Sequence, residues 1–229
     1  DGEDFLIPGI MEHVERAGIH SGDSACCTPP FALSEALVSQ LRSVARDLAL
    51  RLGVVGLINI QFAIKDQVIY IIEANPRASR TVPFVSKATG VPLAKMAARI
   101  MAGEKIADLG LPPDDRRLEH YSVKEAVMPF GRFPGADTVL GPEMKSTGEV
   151  LGVGRTLKEA IYKAMCAAGY SFLSAPGGAR RGVLLSVENR QLGEIEALVR
   201  KLDAEGLHMF ATPDTANAIK ALGCYAFDI

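Results

Sequence analysis

Two apolar rhythms alternate along the chain, and together they outline its elements. Apolar residues recur at three- and four-residue spacing from Leu37 through Leu52, the mark of an amphipathic helix. Ser34 stands where an N-cap belongs and Gly53 where such a helix stops. "PLAKMAARIMAG" predicts a second helix, with proline in its first turn and an end at Gly103. "TLKEAIYKAMCAAG" predicts a capped third. Strands are expected at "FLIPGIMEHV" (Phe5 to Val14), "LINIQFAI", "VIYIIEAN", "HYSVKEAVMPF" and "GEVLGVG". Val68 to Ile72 is apolar throughout, which predicts a strand with both faces covered.

Past residue 181 the pattern changes. "GVLLSV", "NRQLGEIEALVRKLDAEG", "LHMFAT", "DTANAIKALG" and "CYAF" alternate strand and helix, the arrangement of a parallel sheet with right-handed crossovers. "APGGARR" (175–181) reads as a linker, because a proline and two glycines interrupt both rhythms. The expected organisation is 1–174, the linker 175–181, and a unit at 182–229 too short to complete a doubly wound core. A first residue other than methionine and the strand-like ending "GCYAFDI" predict a piece of a longer polypeptide.

Composition narrows the class of function. The 229 residues are 48% hydrophobic and 23% charged, ordinary globular values, with a formal net charge of −2. That balance implies no attraction to nucleic acid or to a membrane surface. No apolar run approaches the ~20 residues a membrane span needs, and there is no signal-peptide pattern. Four cysteines without zinc-ligand spacing point to reduced thiols in a cytoplasm, with Cys26 and Cys27 as small buried side chains.

The candidate chemistry begins at "VIYIIEANPRASR". Strand alternation puts Glu73 and Asn75 on one face, and Gln61 lies on the preceding strand. An odd hairpin loop brings Gln61 to the face of Glu73; an even one sends it to the opposite face. A three-residue loop at Lys65 to Gln67 would set Asn59 opposite Glu73 and Gln61 diagonally beside it, ~7–8 Å away. Oxygen donors in such a group suit Mg²⁺, and the guanidiniums of Arg77 and Arg80 suit phosphate or carboxylate. A solvated strand end with a surface salt bridge would look the same. "AGIHSGDS" is likewise either a binding loop or a polar turn with an incidental histidine.

Longer stretches add a resemblance. "INIQFAIKDQVIYIIEANPRASRTVPFVSKATGVPLAKMAARIMAG" resembles the C-terminal lobe of an ATP-grasp domain. With "GIMEHVERAGIHSGDSACCTPP" upstream and "SVKEAVMPF…GPEMKSTGEVLGVGRT" downstream, residues 1–171 resemble the carbamoyl-phosphate synthase large chain, and more closely its second ATP-grasp half, which phosphorylates carbamate. The segment after Arg181 is similar, more loosely, to the start of the methylglyoxal-synthase-like regulatory domain that follows there. The fold class implied is an α+β ATP-grasp C-terminal lobe, an antiparallel sheet with helices, followed by an incomplete α/β doubly wound domain.

The resemblance also implies roles. Gln61, Glu73 and Asn75 would hold Mg²⁺ or Mn²⁺ on the ATP phosphates, and Arg77 and Arg80 would hold carbamate and the transferred phosphoryl group. Gly18, Ile19, His20 and Ser21 would line the nucleotide. His13, Ser24 and the Ile19 carbonyl match a potassium site, beside which Arg16 replaces the usual glutamine. Thr212 and Thr215 match effector-phosphate positions, with Asp214 where glycine is common; a turn capping the next helix is the alternative. The implied partners are a small glutaminase subunit, bicarbonate, ammonia or carbamate, ATP, a nucleotide effector, and other copies of the full-length chain as an oligomer. The isolated chain is expected to turn over little or no ATP. The alternatives are another ATP-grasp ligase acting on a carboxylate or carboxyphosphate, and a non-catalytic metabolite-binding regulatory fragment.

Overall fold

A computed structural model of the protein describes residues 1–113, 118–170 and 182–229. The chain separates into two compact units, Asp1–Tyr170 and Ser171–Ile229. The linker expected at 175–181 lies outside the described residues.

In the first unit, β1 (Glu12–His13), β2 (Cys26–Thr28), β5 (Tyr121–Val127) and β6 (Gly148–Gly154) form an antiparallel sheet in that order. A separate hairpin joins β3 (Asn59–Lys65) to β4 (Val68–Asn75). Helix α1 (Glu35–Arg51) begins where expected, Ser34 Oγ accepting from the Leu37 N–H at 3.3 Å, and Gly53 follows its end at φ +60°. Helix α3 (Leu93–Met101) buries Met96, Ala97 and Ile100. Helix α4 (Leu157–Ala167) is capped by Thr156, whose hydroxyl accepts from the Glu159 N–H while Glu159 reaches back to the Arg155 N–H.

Helix α2 (Thr81–Thr89) has no counterpart in the sequence reading. Thr81-Val82-Pro83 looks like extended chain, yet Pro83 sits in the first helical turn, where its missing N–H has no intrahelical partner to lose. Burial of Phe84, Val85 and Ala88 then favours the helix.

Three expectations are corrected. Only Glu12–His13 of the strand expected at Phe5 to Val14 is ladder-paired. Among the described residues no strand runs beside 5–11, and Pro8 could not donate to one. The apolar run of β4 is not covered on both faces: Val68, Tyr70, Ile71 and Ile72 are 49%, 52%, 50% and 50% exposed, because the hairpin has only two strands among the described residues. The connecting loop has two residues rather than three. Asp66 and Gln67 take φ of 51° and 65°, both left-handed, as a type I′ turn requires.

Helix α4 lies against the β5–β6 face at very short range. Cys27 and Val123 pack on Ala160 and Ala164, and Gly152 and Gly154 of β6 leave room for the helix backbone itself. A Cβ at Gly152 would collide with the Ala160 carbonyl oxygen and the Ala164 nitrogen. In the second unit, β7 (Gly182–Leu185), β8 (His208–Ala211) and β9 (Ala226–Asp228) form the expected parallel sheet. Helices α5 (Glu196–Ala204) and α6 (Pro213–Ala221) connect the strands and bury Val199, Ala216 and Ile219 against Met209 and Ala211. The other sheet face carries Leu184, Phe210 and Phe227, the two rings stacked at 5.0 Å, and it is partly exposed.

Two substitutions test this account. Gln67→Gly relieves a left-handed side chain in the turn and should raise stability by about 0.5–1 kcal/mol, read as a higher urea midpoint at constant m-value. Gly152→Ala forces α4 off the sheet and should lower stability by about 3 kcal/mol in the same titration. An unchanged midpoint would refute the close packing.

Candidate nucleotide and metal site

The β3–β4 ladder decides where the oxygen donors point. From the turn outward Lys65 pairs with Val68 and Phe62 with Ile71, a register that would next place Ile72 opposite Gln61. Glu73 would then fall on the opposite face from Gln61. A bulge intervenes: Ile72 is the extra residue, Gln61 pairs with Glu73, and Asn59 pairs with Asn75. Asn59, Gln61, Glu73 and Asn75 thus share one face despite the even loop, with Gln61 directly across from Glu73 rather than diagonal to it.

The donors are also unspent. Among the described residues the side chains of Gln61, Glu73 and Asn75 have no hydrogen-bond or ion-pair partner. Asn59, by contrast, donates to Thr81 Oγ1 at 3.4 Å, and Thr81 Oγ1 lies 2.6 Å from Ser79 Oγ. One carboxylate and two amide oxygens, fixed on a rigid ladder and otherwise unbonded, fit a hard divalent cation that completes its shell with water and phosphate. No group of three His, Cys, Asp or Glu able to hold a metal occurs among the described residues, so the donor set depends on its two amides.

After β4 the chain turns, the Arg77 N–H donating to the Asn75 carbonyl at 2.8 Å. Arg77 is exposed, and its guanidinium reaches only the neighbouring Ala78 carbonyl. Exposed Arg80 stands just before α2 and donates to Met144 Sδ at 3.1 Å. Both guanidiniums keep most of their donors for a ligand.

Two residues of the Gly18–Ser24 loop, Ile19 and Ser21, line the same cavity as Gln61 and Arg77. Gly18 has φ +104°, a backbone that glycine alone adopts without strain. His13, Ile19, Ser21, Gln61 and Arg77 line one cavity of about 550 Å³. Gly18, His20, Ser24, Glu73, Asn75 and Arg80 are not part of that lining. Ser24 is buried, and its hydroxyl donates to the His20 carbonyl at 3.3 Å. His13, on β1, is held below the usual imidazole range first by burial and then by the Lys124 charge, so it is neutral at pH 7.

Three side chains missed from the sequence hold the loop. Asp23, 2% exposed, accepts from the Lys145 and Ser146 N–H groups at 2.8 Å each. Burial pushes its carboxyl up, but the bonds from Ser146 and Lys145 outweigh that and hold it below the usual range. Ser146 Oγ and the Lys124 ammonium both donate to the Gly22 carbonyl. These partners lie more than 100 residues from the loop, and no local spacing announces them. Cys26 and Cys27 are small buried side chains, as expected, and burial raises their thiols to about 12 and about 11.

His120 gives its Nε2 to the Ala88 carbonyl at 3.0 Å, a structural bond. In the second unit, Thr215 is fully buried, and its hydroxyl accepts from the Val187 N–H at 3.0 Å and from Thr212 Oγ1 at 3.3 Å. Thr215 thereby ties the segment after β7 to α6, with Thr212 the hydroxyl nearer the surface. No helix among the described residues is long and apolar enough to cross a membrane.

Residues 3–109 match the family described as "Carbamoyl-phosphate synthase L chain, ATP binding domain". The chain is 50% identical over 226 residues to the carbamoyl phosphate synthase large chain of Methanoculleus marisnigri, covering 99% of this chain and 21% of that one. It is 52% identical over 222 residues to that of Methanothermobacter thermautotrophicus, covering 96% and 20%. With that of Ralstonia nicotianae it shares 50% over 227 residues, covering 97% and 20%. It thus spans about a fifth of the length of these relatives. Among solved structures it is similar to a single-chain, multi-domain long-chain acyl-CoA carboxylase, with TM-score 0.49, 21% identity, and coverage of 62% of this chain and 18% of that one. That likeness is too distant to carry a functional argument. Along nearly its whole length the chain is similar to carbamoyl phosphate synthase large chains, and its residues 3–109 match the family of their ATP-binding domain.

Proposed function

We propose that the chain supplies the metal and phosphate wall of the ATP site at which a full-length large chain phosphorylates carbamate. The observation that carries this reading is the bulged ladder, which sets Gln61 across from Glu73 with Asn75 on the same face, all three unbonded. Phosphoryl transfer asks a protein for positioning and charge neutralisation rather than covalent chemistry. Mg²⁺ or Mn²⁺ bound at these oxygens would neutralise charge on the β- and γ-phosphates. Arg77 and Arg80 orient the carbamate and receive the charge that develops on the transferred group. A carbamate oxygen forms the new P–O bond, the bond from the γ-phosphorus to the ADP oxygen breaks, and no protein nucleophile or base is involved.

Around this step, bicarbonate and ammonia delivered by a glutaminase subunit supply the carbamate, a second ATP is consumed, and the full-length chains assemble as an oligomer. Gly18, Ile19, His20 and Ser21 line the nucleotide. His13, Ser24 and the Ile19 carbonyl form a potassium site, whose one hydroxyl is already shared with the His20 carbonyl. The second unit is the start of a methylglyoxal-synthase-like regulatory domain, and Thr212, at the N-terminus of α6, meets an effector phosphate.

Glu73 is exposed and unbonded, so removing it costs the fold little. In the full-length polypeptide Glu73→Ala should lower Mg²⁺-dependent carbamoyl phosphate formation more than about 100-fold, with the thermal midpoint unchanged. Bicarbonate with ammonia, and not biotin, should stimulate ATP hydrolysis by the parent enzyme. Retained synthesis in Glu73→Ala, or stimulation by biotin, would refute the assignment.

A further inference from the structure

Lys124 is the largest fully buried side chain of the molecule as described, and the way its charge is met is unusual. Among the described residues its nearest carboxylate oxygen, Glu149 Oε1, is 4.0 Å away, and that oxygen is itself buried with no hydrogen-bond partner there. The ammonium instead donates to two successive loop carbonyls, Ser21 at 3.0 Å and Gly22 at 3.4 Å. Around it are His13, kept neutral by burial, and Cys26, the Lys124 partner across the β2–β5 ladder. A dry site that holds an imperfectly paired ammonium gains little stability from it, and a methionine of similar size would serve packing as well.

What the ammonium does accomplish can be followed through the peptide planes. In a trans peptide the N–H points opposite to the C=O of the same unit. Drawing the Ser21 and Gly22 carbonyls toward β5 therefore turns the N–H groups of Gly22 and Asp23 the other way. Both land on His20: the Gly22 N–H donates to His20 Nδ1 at 3.0 Å, and the Asp23 N–H donates to the His20 carbonyl at 2.9 Å. An imidazole that accepts at Nδ1 carries its proton on Nε2, so the ring is presented as an Nε2–H donor. The His20 N–H, bonded to the Gly141 carbonyl at 2.8 Å, holds the residue from its other side.

We propose that Lys124 is a positioning residue for the nucleotide: through the Ser21 and Gly22 carbonyls it sets the loop and fixes His20 as an Nε2–H donor toward a nucleotide oxygen or ring nitrogen. This rests on reading the loop as part of the nucleotide site. Lys124 itself touches no ligand and acts only through the loop.

The test is amide exchange on the full-length polypeptide, titrated with ATP, following a peptide over residues 17–26 and a control over β5–β6. In the wild type, ATP should protect the loop peptide, and its titration gives an affinity local to this site. Lys124→Met should speed loop exchange and weaken that affinity at least tenfold, with control protection unchanged. Lys124→Arg, which keeps charge and donors, should recover affinity to within about threefold of wild type. Unchanged affinity or unchanged loop exchange in Lys124→Met overturns the proposal while leaving the nucleotide reading intact. A wild-type loop that ATP does not protect overturns both. Loss of control protection in both variants would assign Lys124 to the fold as a whole and also overturns it.

Discussion

The parity of one β-ladder governs what this molecule can do. A two-residue turn alone would send Gln61 and Glu73 to opposite faces of the hairpin, and no cation could then reach both. The bulge at Ile72 adds one residue to one strand and reverses the alternation beyond it. Nearer the turn the hairpin is regular; beyond the bulge Asn59, Gln61, Glu73 and Asn75 share one face. A single unpaired residue thus gathers the candidate oxygen donors on one side of the ladder.

The opposite wall is held by long-range polar contacts rather than by apolar packing. Ser146 and Lys124 reach the Gly18–Ser24 loop from segments more than 100 residues away, and Asp23 within the loop accepts from the Lys145 and Ser146 N–H groups, so each of the three side chains meets backbone. Backbone-directed bonds of this kind fix peptide planes, which side-chain packing does less well. The loop keeps a glycine at φ +104° and turns its neighbouring peptides toward anchors on the sheet. Rigidity on one side and unbonded donors on the other are what a site for a charged ligand requires.

The apolar framework supports both walls without entering the chemistry. Gly152 and Gly154 let α4 settle directly on β5–β6, which leaves the other face of that sheet to Lys124, His13 and Cys26. One sheet therefore separates a close-packed helix interface from a polar interior beneath the loop. In the second unit, the core lies on one face of the parallel sheet, where α5 and α6 cover it.

Local chemistry was legible from the residues alone. Helices α1, α3 and α4, their caps at Ser34 and Thr156, the strands β3 to β6 and the parallel β7–β8–β9 unit all follow from periodicity, because hydrogen bonds and side chains a few residues apart specify them. That Glu73 and Asn75 share a strand face was legible too. Helix α2 was not, since its β-branched start resembles extended chain until burial of Phe84 and Val85 decides otherwise. Nor was the lack of a strand beside 5–11 among the described residues, the exposure of β4, or the burial of Thr215, each of which depends on what lies across from a residue rather than beside it. The sequence by itself determined which donors and guanidiniums exist and on which elements they sit. Only the tertiary structure decided that Gln61 faces Glu73 and that Lys124 lies beneath the loop, because ladder parity and contacts over a hundred residues are settled by packing in space, which no local spacing encodes.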